Sequence, residues 1–152
     1  MALKRLMAEL GRFTRIGLDS SVLIYHLEDV RPYSDLTEAL FGAIGRGTPG
    51  AVLSTISVAE LLVKPWREQQ PGRAAAFERF VVSLPNASLV APDVDVAKGA
   101  ARLRAVYGVG LPDALLVETA RREGAQAFLT NDRGLRRLKG EGIAVMVLDD
   151  YV

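Results

Sequence analysis

The sequence contains no cysteine and only one histidine, His26. Without cysteine the chain has no disulfide, no thiolate metal ligand and no cysteine nucleophile, which is compatible with a reducing compartment. One histidine is too few for a His-rich zinc site or for the H-E-x-x-H motif of metalloproteases. The G-x-S-x-G segment of many serine hydrolases is also absent. Carboxylates, hydroxyls and arginines are therefore the side chains left to carry any chemistry.

Long apolar runs are missing too, so the sequence predicts no membrane-spanning helix. The opening stretch, MALKRLMAELGRF, has basic residues at its start, but Glu9 and Arg12 interrupt its apolar part. We therefore expect a short amphipathic helix there, no secretory signal, and a cytoplasmic protein. The net charge is only +1, so any surface that attracts nucleic acid must be local.

Short apolar runs alternate with longer helical patterns along the chain. The candidate strands are Arg15–Leu18, Ala51–Ser54, Ser88–Val90, Ala127–Thr130 and Ala144–Leu148. The candidate helices lie near Ser21–Leu27, Ser34–Ile44, Val58–Val63, Arg73–Leu84, Val94–Tyr107, Ala114–Arg122 and Arg133–Leu138. This alternation predicts an α/β fold, a three-layer α/β/α sandwich with a mainly parallel central sheet of four to five strands. We expect one domain over residues 1–152, with residues 1–14 as a short extension before the first strand.

Four acidic residues stand near predicted helix starts. They are Asp19 in LDSSVLIYHLE, Glu60 in SVAELL, Asp113 in LPDALLVETA and Asp132 in FLTNDRGL. Each has an ordinary structural explanation. Asp19 and Asp132 suit helix N-caps, and Glu60 has the capping-box spacing from Ser57. Asp113 follows a proline and places its charge at the positive end of a helix dipole.

Three of these acids, Asp19, Glu60 and Asp132, follow predicted strands, so a parallel sheet would gather them along its carboxyl edge. Asp113 follows a helix, and the local pattern alone does not place it on that edge. Clustered carboxylates raise one another's pKa values and are best tolerated beside a divalent cation. Oxygen-only ligands suit Mg²⁺ or Mn²⁺, and one or two such ions can assist hydrolysis of a phosphodiester.

In their order along residues 16 to about 148, the four segments resemble the PIN domain family, and most of all the VapC toxins of bacterial toxin–antitoxin pairs. The resemblance implies a metal-dependent endoribonuclease that binds one or two Mg²⁺ or Mn²⁺ ions. It implies that Asp19, Asp113 and Asp132 are primary metal ligands and that Glu60 completes the catalytic pocket. Ser21 and Thr130 match supporting hydrogen-bonding positions. The resemblance also implies an RNA substrate, a small antitoxin partner and a homodimer.

Other residues have weaker signals. Arg133, Arg136 and Arg137 lie beside Asp132, where an ordinary solvated face and steering of RNA phosphates are equally consistent with the pattern. His26 is expected to be a structural or surface residue, and Trp66 is expected to pack into the core.

Two other function classes are consistent with these residues. The first is a non-catalytic PIN-like module that binds RNA or protein, in which the acids serve as helix caps. The second is a phosphatase of the haloacid dehalogenase type, which ranks low because Asp19-Ser20-Ser21 lacks a second acid.

Overall fold

The computed structural model describes residues 1–152. Its strands are β1 (Arg15–Leu18), β2 (Gly50–Ser54), β3 (Ala87–Val90), β4 (Ala127–Thr130) and β5 (Ala144–Val147). Its helices are α1 (Ala2–Leu10), α2 (Ser20–Leu27), α3 (Tyr33–Gly45), α4 (Thr55–Arg67), α5 (Pro71–Ser83), α6 (Val94–Tyr107) and α7 (Leu111–Arg122). Two 3₁₀ segments, Arg133–Glu141 and Leu148–Tyr151, follow β4 and β5.

All five strands are parallel, in the order β3-β2-β1-β4-β5. The chain builds outward from β1 to β3, then returns to the other side of β1 and adds β4 and β5. The strand order thus changes direction between β1 and β4, and in open parallel sheets ligands bind outside the carboxyl ends of the strands at such a point. Helices cover both faces, which confirms the three-layer α/β/α prediction.

Two apolar cores lie on opposite faces of the sheet. Ile16 and Leu18 of β1 belong to a cluster of 20 buried residues that includes side chains of α1 to α5. Phe128 of β4 belongs to a second cluster of 13, formed mainly with α6, α7 and the first 3₁₀ segment. The strands contribute to both clusters because successive side chains of a strand point to opposite faces.

Two glycines set the position of α7. A Cβ at Gly17 in β1 would overlap the Cβ of Ala120 in α7, so the helix approaches the central strand closely. Gly108 ends α6 with φ of 73°, a left-handed conformation that glycine adopts without steric cost. The chain can therefore turn sharply and begin α7 three residues later.

Several element boundaries differ from the sequence prediction. Helix α4 begins at Thr55 and not near Val58, and it continues through Pro65 to Arg67. Its N-cap is Ser54, whose side chain accepts from the Ile56 amide, so the capping box inferred for Glu60 was wrong. The segment after β4 is a 3₁₀ helix that runs to Glu141, and β5 ends at Val147, one residue earlier than predicted.

The expectations for the remaining local features had mixed outcomes. The amphipathic N-terminal helix is confirmed as α1, which buries Leu6 and Leu10. His26 is structural as expected, since its ring packs 4.6 Å from that of Phe41 and 5.3 Å from that of Phe80. The core position expected for Trp66 was wrong, because its side chain is 61% exposed. No helix has the length and apolar character needed to cross a membrane.

Candidate active site

Three of the four acidic residues follow neighbouring strands of the sheet: Glu60 follows β2, Asp19 follows β1 and Asp132 follows β4. Asp19 comes directly after β1 and is the N-cap residue of α2, as the sequence predicted. Its side chain nevertheless makes no capping hydrogen bond. The carboxylate instead accepts from the Thr130 hydroxyl at the end of β4, with 2.5 Å between Thr130 Oγ1 and Asp19 Oδ2. Asp19 is 7% exposed, so a buried acid lies at the point where the strand order changes direction.

Thr130 joins two of the four acids. Its hydroxyl donates to Asp19 and also accepts from the backbone amide of Asp132, with 3.0 Å between the two atoms. Asp132 in turn accepts from the Gly134 amide at 2.8 Å, as the N-cap of the 3₁₀ segment. Thr130 has no exposed surface, and its hydrogen bond with Asp19 is buried, whereas the one with the Asp132 amide is partly buried.

Glu60 lies one turn and a half into α4, and a serine of α2 holds it. The Ser20 hydroxyl is 2.6 Å from Glu60 Oε1 and 2.8 Å from the Ser57 hydroxyl. Because an ionised carboxylate can only accept, Ser20 donates to Glu60 and accepts from Ser57. The serine pair therefore fixes the Glu60 side chain against the residue that follows Asp19.

Asp113 lies in the first turn of α7 and is half-buried. Burial, followed by the negative charges of Asp19, Asp132 and Glu60 in that order, raises the pKa of Asp113 to about 6. A residue from a helix thus shares the electrostatic environment of three acids that follow strands. Local sequence pattern could not have placed Asp113 there, because its position depends on the close packing of α7 on β1.

The ionised form of Asp19 is also disfavoured by its surroundings. Burial raises the pKa of Asp19, and the charge of Glu60 adds to this, while hydrogen bonds from Thr130 and the Ser20 backbone lower it. Ser21, predicted to support the site, lies close enough to Asp19 to lower that pKa slightly. Its buried hydroxyl oxygen nevertheless has no hydrogen-bond partner within ordinary geometry.

The sequence interpretation missed two polar residues of this region. Ser20 has the contact with Glu60, although Ser21 was the serine singled out. Asn131 was not singled out as a site residue, yet its side-chain amide bridges Tyr25 and the backbone of Asp149. The only sequence signal was the placement of both residues directly beside acids that follow strands.

The three arginines beside Asp132 have internal partners. Arg133 is 3.6 Å from a carboxylate oxygen of Asp150 and 3.9 Å from one of Asp149, with 57% of its side chain exposed. Arg136 also pairs with Asp150. Arg137 donates to the backbone carbonyls of Gly134 and Tyr107. Arg133 is thus the least constrained of the three.

The donor chemistry of the site fits a hard divalent cation. All candidate ligands are carboxylate oxygens. Burial and, after it, the negative charge of neighbouring acids raise the pKa values of Asp19 and Asp113, and no cation is among the causes that lower them. The side chains are not, however, closed around a common point. No group of three or more His, Asp or Glu side chains is arranged to hold a metal ion.

The fold is similar to several solved structures. A chain of the DNA-bound VapBC2 complex of Rickettsia felis superposes with a TM-score of 0.69 and 14% identity, covering 88% of this chain and 98% of that one. DNA-bound VapBC from Salmonella typhimurium gives 0.66 and 19%, with the same coverage. VapC20 of Mycobacterium tuberculosis, described as a Sarcin-Ricin loop cleaving toxin, gives 0.62 and 16%, covering 74% and 86%.

These identities are low enough that the likeness shows the fold alone. A comparison with curated protein sequences gave no match. The sequence model of the PIN domain matches residues 16–141, which is most of the chain and includes all four acids. The chain therefore belongs to the PIN domain family.

Proposed function

We propose that this chain is a divalent-metal-dependent endoribonuclease, with residues 1–152 acting as one domain, and that it is the toxin of a toxin–antitoxin pair. The observation that carries the proposal is the shared electrostatic environment of the four acids. Burial and the charges of Asp19, Asp132 and Glu60 raise the pKa of Asp113 to about 6. Membership of the PIN domain family supports the same reading.

In this proposal Asp19, Asp113 and Asp132 bind one or two Mg²⁺ or Mn²⁺ ions, and Glu60 completes the site. A bound ion would supply activation of water and stabilisation of the leaving oxygen of a phosphodiester. The protein's own contribution is orientation: Thr130 holds the Asp19 carboxylate, and Ser20 holds that of Glu60. The ligands are thus fixed by hydrogen bonds from neighbouring elements, as metal-binding carboxylates commonly are.

For the substrate we propose RNA, with Arg133 as the first arginine to meet its phosphates. The acids would otherwise repel a polyanion, so a cation beside Asp132 is useful. The Arg133 side chain is more exposed than that of Arg136, 57% against 41%, and its ion pairs are longer. To bind a phosphate, Arg136 would have to break its ion pair with Asp150. Arg137 would have to break its hydrogen bonds with the backbone carbonyls of Gly134 and Tyr107.

The test is RNA cleavage by the wild-type chain and by Asp19→Asn. We expect wild-type protein with Mn²⁺ to cut a panel of structured and single-stranded RNAs. Asp19→Asn should lose about 100-fold or more of the rate, the scale on which loss of a key group in a metal site acts. EDTA should abolish cleavage, and added Mn²⁺ should restore it.

Asp95→Asn is the matched control, since Asp95 is an exposed acid in the first turn of α6 and does not contribute to the pKa shifts of Asp19 or Asp113. It should cut RNA at the wild-type rate, and circular dichroism should show the same fold for all three proteins. Equal cleavage by wild type and Asp19→Asn would reveal a contaminating nuclease and contradict the proposal.

The proposed partners are an antitoxin and a second copy of the chain. Complexes with an antitoxin are named for the structurally similar VapBC proteins. Large apolar side chains are exposed on α4 and α6, among them Val63, Trp66, Val94 and Val106. Burial of such side chains favours association. Expression in the cytoplasm of a bacterial host should arrest growth, and sedimentation should give twice the monomer mass.

The alternative function is a non-catalytic PIN-like module that binds RNA or protein. One observation favours it: no three acidic side chains are already arranged around an ion. This module would bind RNA equally well in EDTA and in Mn²⁺ and would cleave none of the panel. Calorimetry of the wild-type chain with RNA in EDTA and in Mn²⁺, together with the cleavage assay, therefore separates the two functions.

A further inference from the structure

The two ends of the chain lie outside the matched family region, residues 16–141, and they pack against each other. The Tyr151 hydroxyl in the last 3₁₀ segment donates to the Glu9 carboxylate of α1. The Arg5 guanidinium lies 4.9 Å from the centre of the Tyr151 ring and donates to the backbone carbonyl of Asp150. Leu6 and Leu10 are buried in the larger core, which fixes α1 itself. The C-terminal turn, residues 148–151, is thus anchored to α1.

This C-terminal turn reaches the candidate active site through Asn131. The backbone amide of Asp149 donates to Asn131 Oδ1 at 2.9 Å, and Asn131 Nδ2 donates to the Tyr25 hydroxyl at 3.2 Å. Tyr33 closes the network, since its hydroxyl donates to Asp149 Oδ1 at 2.5 Å and its ring stacks on that of Tyr25 at 4.4 Å. Both ends of the Asn131 amide are therefore engaged, one by the C-terminal turn and one by α2.

Asn131 stands between the two residues that define this side of the site. Thr130 precedes it and holds Asp19, while Asp132 follows it and is one of the four acids. The hydrogen bonds of the Asp132 side chain and amide are local, with the Gly134 amide and the Thr130 hydroxyl. The direction of the Asp132 carboxylate consequently depends on how the backbone at Asn131 is held.

We infer that Asn131 is a positioning residue for Asp132, held in place by the C-terminal turn that α1 anchors. The side chain of Asn131 acts through the backbone and touches neither metal nor RNA. Its relevance to metal binding rests on the proposed function, whereas its effect on the Asp132 loop does not. The chain would thus orient one of its acids with segments that lie outside the region matched by the family.

The first test measures the loop directly, without metal. In Asn131→Ala, amide hydrogen exchange followed by NMR should be about tenfold faster at Gly134, whose amide donates to Asp132 Oδ1, because the loop opens more readily. Tyr33→Phe keeps the stacked ring but removes the hydroxyl bound to Asp149. It should increase the same exchange rate by a smaller factor.

Gln126→Ala is the matched control at the opposite end of β4. Like Asn131, Gln126 joins two segments through its side-chain amide. Its Oε1 accepts from the Thr14 backbone amide at 2.6 Å and from the Thr14 hydroxyl at 3.0 Å. Gln126→Ala should lower the melting temperature about as much as Asn131→Ala does. It should nevertheless leave the exchange rate at Gly134 within about twofold of wild type. Unchanged exchange in Asn131→Ala, or equal acceleration by both variants, would overturn the inference.

The second test measures Mn²⁺ affinity by calorimetry with no RNA present. Asn131→Ala should bind Mn²⁺ about tenfold more weakly, which is the usual cost of losing a residue that orients a metal ligand, whereas Gln126→Ala should bind like wild type. If Asn131→Ala binds Mn²⁺ with wild-type affinity, Asn131 has no role in metal binding. If wild-type protein binds no Mn²⁺, the proposed function fails, and exchange at Gly134 alone decides the positioning role.

Discussion

Two carboxylates are almost wholly withdrawn from solvent, and their surroundings are opposite. Glu118 in α7 has no exposed surface and receives hydrogen bonds from Arg121 and Arg122, with its Oε1 2.6 Å from the first guanidinium and 2.8 Å from the second. Asp19 is 7% exposed and receives hydroxyl and amide hydrogen bonds, but its charged neighbours include Glu60 and Asp113. One charge is neutralised within its own helix turn, while the other is surrounded by charges of the same sign.

The difference separates a structural acid from a candidate functional one. A buried carboxylate that serves the fold needs a cation nearby, and the Glu118 spacing of three and four residues to arginine provides two. A buried carboxylate among other acids costs folding free energy unless something outside the chain neutralises it. Such a group is therefore a candidate functional site, with its physical cause stated.

The largest effect on stability should come from Glu118→Gln. We expect the free energy of unfolding to fall by about 3 kcal/mol, the lower end for a broken buried pair, because the arginine side chains are 36% and 42% exposed and can turn to water. Asp19→Asn should leave that free energy unchanged or raise it, since it removes a charge that burial disfavours. Urea denaturation at neutral pH measures the free energy of unfolding of both variants. If Asp19→Asn lost more stability than Glu118→Gln, the distinction between a structural and a functional carboxylate would be contradicted.

The next effect is stabilisation by metal. An ion that binds only the native state raises stability by about 2.7 kcal/mol at a hundred times its Kd. Mn²⁺ should therefore raise the melting temperature of the wild type and of Glu118→Gln alike, and that of Asp19→Asn much less. Differential scanning calorimetry with and without Mn²⁺ is the measurement. If millimolar Mn²⁺ does not change the melting temperature of the wild type, the interpretation of Asp19 as part of a metal site is contradicted.

The smallest effect is the pH dependence of Asp113. Its pKa is about 6 in the folded chain against 3.8 when free, so between these values the folded state binds a proton that the unfolded state has released. Stability must then fall as pH rises from about 4 to 6. After discounting for solvent screening of a half-buried group, we expect a loss of about 1 kcal/mol.

Asp113→Asn isolates this loss. In EDTA the variant should gain stability over the wild type between pH 4.5 and pH 7, since only the wild type carries the titrating group. Urea denaturation of both proteins at the two pH values gives the difference. The same difference at both pH values would mean that Asp113 titrates normally and lies apart from the other acids.

The fold was largely predictable because its signals are local. Short apolar segments bounded by helices predicted all five strands within one residue at each end. The parallel orientation of the strands followed from the helices that connect them. Helix boundaries were less accurate. Thr55 to Ser57 of α4 and Leu111 to Asp113 of α7 were left outside the predicted helices, since both starts depend on caps, Ser54 and Gly110, that the apolar pattern does not reveal.

The candidate site was predictable in part. Sequence order identified the four acids and placed three of them after strands. The contacts that orient them were not predictable: Thr130 and Asp19 are 111 positions apart, and Ser20 and Glu60 are 40 apart. The partners of the two C-terminal acids were not predictable either: Asp149 binds Tyr33, and Asp150 pairs with Arg136.

By itself, the sequence determined the alternation of strands and helices, the family and the identities of the acids, because periodicity and short motifs are properties of neighbouring residues. Only the tertiary structure decided that α7 packs on Gly17 and brings Asp113 into the field of the other acids. It also decided that Asp149 of the C-terminal turn donates to Asn131, and that Tyr151 of the same turn donates to Glu9 of α1. The physical reason is that electrostatic repulsion and hydrogen bonding depend on distance in space, which sheet order and helix packing set.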